Sequence, residues 1–236
     1  MFARNKVAML VAEFLGTGVL TLVFLSVQYS NLGVSYFVAL AAGLTVAALS
    51  LVFAGVSGAH LNPAVTIGLW TTRRVKTVAA ATYIVAQLLG AWAAYGIYTY
   101  FVNQSLPTIG GHYTARLLIA EAIGAFVFAF VWAAVAAQRL AVTWIGGIFA
   151  LAILIASVGH IGYVNPALAL GARAWNIWGS MGWGTFVLGP VLGGVVGFNL
   201  YQLIFTDTYA NVLPMRSSAA TTSSRTAKKP ASKKRK

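Results

Sequence analysis

"GYVNPALAL" at residues 162–170 interrupts an apolar stretch with an Asn-Pro pair, and "AHLNPAVTI" at residues 59–67 carries the same Asn-Pro-Ala core. Proline is poorly tolerated inside a helix but suits its first position, where the missing N–H costs nothing. The asparagine before it is then an N-cap, its side-chain oxygen accepting from a backbone N–H one turn in. Each motif therefore starts a helix. The apolar pieces that follow, 63–72 and 166–176, are too short to cross a bilayer, which takes about 20 residues.

The rest of the chain identifies the solvent. With 59% hydrophobic and 8% charged residues in 236, the apolar surface exceeds what one soluble core can hide. Six runs are long enough to span: about 7–28, 35–55, 79–101, 115–136, 143–160 and 183–205. "MFARNK" leads into the first of them with no small-residue cleavage site behind it, which reads as a retained helix rather than a removable signal. The absence of cysteine excludes disulfides and thiol chemistry.

Two internal repeats set the architecture. "AEFLGTGVLTLVF" (12–24) aligns with "AEAIGAFVFAFVW" (120–132) at an offset of 108, and "NPAVTIG" (62–68) aligns with "NPALALG" (165–171) at 103. Gln87-x-x-Gly90 and Pro190-x-x-Gly193 keep the second offset. The chain is thus two halves, about 7–101 and 115–205, each with a helix bearing an early Glu, a second helix, an Asn-Pro half-helix and a third helix. Three spans per half invert the second half relative to the first, and inverted repeats bring their broken helices together near the midplane. Irregular backbone is tolerated at that depth only where it is packed in protein or lines a wet cavity. The side-chain amide NH2 groups of Asn62 and Asn165 are then left over at mid-membrane, with two positive helix-dipole ends behind them.

A net charge of +13 suggests nucleic acid until its placement is read. With a cytoplasmic N-terminus, Arg4, Lys6, Arg73, Arg74, Lys76, Arg139 and the eight cations from Arg216 to Lys236 lie inside, and only Arg116 and Arg173 lie outside. That is the positive-inside asymmetry, and with an even number of spans it puts both termini in the cytoplasm. The tail 206–236, ending "RTAKKPASKKRK", reads as a disordered basic segment. Anionic lipid is its expected neighbour, and nucleic acid is disfavoured.

The paired Asn-Pro-Ala motifs, the phased glutamates and the context "SGAHLNPAVT" resemble the aquaporin, or major intrinsic protein, family over about residues 7–205. The resemblance implies an all-α integral membrane protein of six transmembrane helices and two half-helices, assembled as a homotetramer in the plasma (cell inner) membrane. Each protomer would hold a single-file pore for water and small neutral solutes such as glycerol, urea or ammonia. It implies pore motifs at Asn62, Pro63, Ala64, Asn165, Pro166 and Ala167. It implies an outer constriction at Ala42, Ile153, Gly162 and Leu168, and loop support from Glu13 and Glu121. Most members follow the second motif with Arg, and this chain has Leu168; the outer ring is therefore small and apolar, short of a donor and a fixed positive charge. Arg173, five residues on, points to a different helix face.

Glu13 and Glu121 are the only acids within the spans. A carboxylate there costs several kcal/mol unless partnered, so both are expected to be structural. His60 precedes the first motif and His160 the second, while His112 lies in a loop. With no third ligand at suitable spacing, loop bracing or pore lining is preferred for His60 over a metal site. Glycines such as Gly43, Gly90, Gly124, Gly146, Gly193 and Gly197 are expected at close helix approaches. No enzyme constellation, cofactor motif or metal set is visible. The leading reading is a passive channel, and the alternative from another class is a poorly conducting scaffold or adhesion protein with the same fold. An ion-coupled transporter is disfavoured because the two glutamates sit away from the pore motifs.

Overall fold

A computed structural model of the chain describes residues 4–107, 114–158, 161–177 and 182–212; His112 and His160 lie outside the described residues. Among these the regular elements are all helical: α1 (Arg4–Gln28), α2 (Ser35–Phe53), α3 (Pro63–Thr71), α4 (Thr77–Val102), α5 (Ala115–Gln138), α6 (Trp144–Ala156), α7 (Pro166–Gly171) and α8 (Gly189–Val212), the last entered through π-helical turns at Trp183–Leu188. Among the described residues, five helical segments are long and apolar enough to cross a membrane. Large apolar side chains point outward along them, Leu51 at 68% exposure and Leu203 at 81% among them. Exposure of that kind on a soluble surface would aggregate; it suits a lipid-facing one.

The packing is organised by the repeat. Helix α1 lies mainly against α4, and α5 mainly against α8, while α2 packs on α6 across the two halves. The half-helices are exchanged: α3 packs most heavily on α8, and α7 on α4. Matched glycines make these approaches possible. A Cβ on Gly90 would collide with the Phe14 carbonyl oxygen, and one on Gly193 with that of Ala122. Gly43 and Gly146 would each collide with the other's carbonyl oxygen, which puts the pseudo-twofold between α2 and α6 at this pair.

Three boundaries differ from the hydropathy reading. The segment expected as a span over 143–160 is regular helix only over Trp144–Ala156, about 20 Å long. It ends where the Ser157 hydroxyl donates to the Ile153 carbonyl and accepts from the Gly162 N–H, turning the chain early into the loop before the second motif. Helix α7 stops at Gly171 rather than 176. At its end the Ala172 and Arg173 N–H groups donate to Leu168 and Leu170, and Arg173 is left-handed at φ 62°. Conversely, α8 continues to Val212, past the boundary drawn at 205.

Candidate functional site

Both Asn-Pro pairs form the local structure their chemistry dictates. Asn62 is extended, its Oδ1 accepts from the Ala64 N–H at 2.8 Å, and Pro63 opens α3. Asn165 is extended likewise, and its Oδ1 accepts from the N–H groups of Ala167 (3.0 Å) and Leu168 (3.4 Å). The amide nitrogens are not wholly spare, as the sequence reading had them. Asn62 Nδ2 donates to the Val164 carbonyl at 3.0 Å, and Asn165 Nδ2 donates to the Leu61 carbonyl at 2.8 Å. Each half's asparagine thus bonds to the residue preceding the other half's asparagine. An NH2 group has two hydrogens, so one on each side chain remains for a ligand.

That exchange requires an unusual backbone. Leu61 and Val164 both adopt the left-handed conformation, at φ 50° and 57°, which costs an L-residue about 1–2 kcal/mol. The glutamates hold it. Glu13, fully buried, accepts at Oε1 from the Ser57 hydroxyl (2.6 Å) and the His60 N–H (3.0 Å), and at Oε2 from the Leu61 N–H (2.7 Å) and Gln87 Nε2 (2.8 Å). Glu121, also fully buried, accepts from the N–H groups of Tyr163 (2.8 Å) and Val164 (2.6 Å). Carboxylates taking several N–H donors in a low-dielectric interior make strong, charge-assisted bonds. Each fixes the N–H of the strained residue while the opposite asparagine fixes its carbonyl.

His60 lies beside this frame, its Nδ1 3.2 Å from the Thr66 hydroxyl and its ring edge-on to Tyr83 at 5.2 Å. Among the described residues no group of three metal-binding side chains gathers. Ala42, Ile153 and Leu168 are wholly inaccessible and Gly162 is buried. A Cβ on Gly162 would press on the Ala156 side chain and the Ile153 carbonyl, so this loop position sits directly on α6. Arg173 is exposed, with its guanidinium over the Tyr95 ring on α4 at 5.5 Å.

Sequence reading missed Ser57, Thr66, Tyr83 and Trp175 as parts of the site. Tyr83 donates to the Ser57 carbonyl at 3.0 Å, Gln87 Nε2 also reaches Thr66 at 2.9 Å, and the Trp175 indole N–H braces the Pro166 carbonyl at 2.6 Å. Only Gln87 left a trace, through its place in the repeat.

The family model described as Major intrinsic protein matches residues 3–201. The chain belongs to that family. Major intrinsic proteins are channels, not enzymes, and this chain is a multi-pass membrane channel of that kind. Among its relatives, Aquaporin AqpM of Methanothermobacter thermautotrophicus is 30% identical over 72% of this chain and 77% of its own length. Aquaporin Z of Photorhabdus laumondii is 28% identical over 84% and 97%. Mouse Aquaporin-4 is 31% identical over 71% of this chain and 56% of its own. The fold is shared with the X-ray structure of the aquaglyceroporin from Plasmodium falciparum at a TM-score of 0.67 and 24% identity, covering 86% of this chain and 98% of that one.

Proposed function

We propose that this major intrinsic protein conducts water passively, and with it small neutral solutes such as glycerol, urea and ammonia, past the amides of Asn62 and Asn165. The reciprocal bonding of those two side chains carries the reading: it fixes two polar groups at the meeting point of the half-helices, each with a hydrogen to spare. Donors backed by two helix N-termini orient a water by its oxygen and oppose cations. The relatives' names support water as a permeant. The apolar set Ala42, Ile153, Gly162 and Leu168 is the proposed outer constriction, and its lack of a charged donor supports the neutral solutes. Glu13, Glu121 and His60 are assigned to loop support.

In this reading the channel unit is residues 1–205, with the last turns of α8 leading into the basic tail. The charge asymmetry supports two cytoplasmic termini in a plasma (cell inner) membrane, with the tail near anionic lipid. The protomers assemble as homotetramers. A second reading, a poorly conducting member of the family serving as scaffold or adhesion protein, is favoured by one observation: Ala42, Ile153 and Leu168 have no accessible surface.

Stopped-flow shrinkage of proteoliposomes under osmotic shock separates the two. Water flux well above that of protein-free vesicles, with glycerol or urea entry, is expected, and proton flux is followed as a control. Flux at the protein-free level would leave the scaffold reading standing.

A further inference from the structure

Helix α5 places Phe128 and Trp132 one turn apart on one face, and both turn towards the asparagine pair. Phe128 lies 5.3 Å from Trp132 and 5.0 Å from Phe149 of α6, and Trp132 meets the His60 ring edge-on at 6.4 Å. Asn62, Asn165, His60, Phe128, Trp132 and Phe149 line one cavity of about 10 Å³, room for about one water. The space beside the amides is therefore closed on the His60 side by an aromatic collar.

The inverted half does not repeat that collar. Its matched positions are Leu20 for Phe128, Val46 for Phe149, Phe24 for Trp132 and Tyr163 for His60. Leu20 and Val46 reach the cavity, but Phe24 and Tyr163 are not among its lining residues. Tyr163 packs on Phe24 at 5.4 Å and on Phe186 at 5.2 Å, and its hydroxyl accepts from Gln28 Nε2. Trp132 keeps 6% of its surface accessible, where Phe24 keeps none. Among the described residues its indole N–H has no acceptor, although a buried indole usually finds one.

We infer that Trp132 adds a size limit of its own to this channel beside the asparagine pair: its indole stands across the water path on the His60 side, donates to the passing molecule, and restricts solutes larger than water. The inference rests on the channel reading above. A glycerol molecule spans more than the one-water cavity, so it passes only if the indole moves aside. The collar is then a limit on larger solutes in addition to the apolar outer ring.

Trp132→Val and Trp132→Phe, reconstituted at matched protein content and checked for the parent's oligomeric state, are compared with the parent for osmotic water flux and glycerol entry. Trp132→Val is expected to raise glycerol entry several-fold and water flux less, with Trp132→Phe between it and the parent. Phe149→Leu widens the same cavity from α6 and shifts the glycerol-to-water ratio the same way, so the inference stays testable if Trp132→Val fails to fold. A permeable parent whose ratio is unchanged in the folded variants overturns the inference alone. Parent and variants all at the protein-free baseline overturn the channel reading, and this inference with it.

Discussion

Replacing Glu13 by Gln keeps the size and shape of a fully buried side chain and changes only its hydrogen-bond chemistry. The carboxylate takes four donors: the Ser57 hydroxyl, Gln87 Nε2, and the N–H groups of His60 and Leu61. An amide offers one accepting oxygen, which suits Ser57 and His60, and turns its NH2 towards Gln87 and the Leu61 N–H. Gln87 can adapt by rotating its own amide, because its Oε1 has no partner. The Leu61 N–H cannot, and a buried donor left unmade costs about 1–3 kcal/mol. Turning the two surviving charge-assisted bonds into neutral ones removes about 1 kcal/mol each. The total is about 3–5 kcal/mol, which for a chain of this size lowers Tm by about 10 °C. Tryptophan fluorescence during heating of the purified protein reads it directly. Ser57→Ala removes a donor to Glu13 and the acceptor of the Ala59 N–H, and is expected to cost about 2–4 kcal/mol. A Glu13→Gln Tm within about 2 °C of the parent would mean that the carboxylate does not hold the left-handed Leu61 as described.

Leu168→Arg adds up to five donors and a positive charge to the proposed outer ring; glycerol and urea permeability should fall more than water permeability, and a fixed ratio would show that Leu168 does not face the lumen. The chain holds no cysteine, so micromolar mercury should give no block that a reducing agent reverses, and such a block would demand a different target. Single cysteines in the tail and in the loop 103–114 should label from opposite sides of the membrane; labelling of both from outside would refute cytoplasmic termini.

Much of the fold was legible because the bilayer and the repeat leave local marks. Apolar length located the helices, and the matched Asn-Pro pairs located the half-helices, since capping and proline chemistry act over one turn. Ala156 and Gly171 end their helices early for reasons hydropathy does not register: a side-chain hydroxyl recapturing backbone groups, and a left-handed turn at Arg173. That the glutamates must find partners was readable, because an unpaired carboxylate is untenable there. Their partners were not, because Leu61 and Val164 are ordinary apolar residues whose left-handed backbone appears only once both halves are in place. The crossed amide bonds join positions 102 and 104 residues apart, and no local pattern encodes them. Trp132 and Phe128 carry no local mark of their place beside the asparagine pair, which only the packing of α6 and His60 around them creates.

If the two asparagine amides face the conducting path, a negative charge placed there must alter what the path admits. Asn62→Asp and Asn165→Asp retain the N-cap acceptor for the half-helix while removing the crossed donor and placing an anion beside the cavity. Potassium flux and osmotic water flux are measured on proteoliposomes of each variant and the parent, at equal protein content. Water flux is expected to persist while potassium flux rises well above the parent's. Water and potassium flux both unchanged in both variants would contradict this placement, because the amides would then lie outside the path.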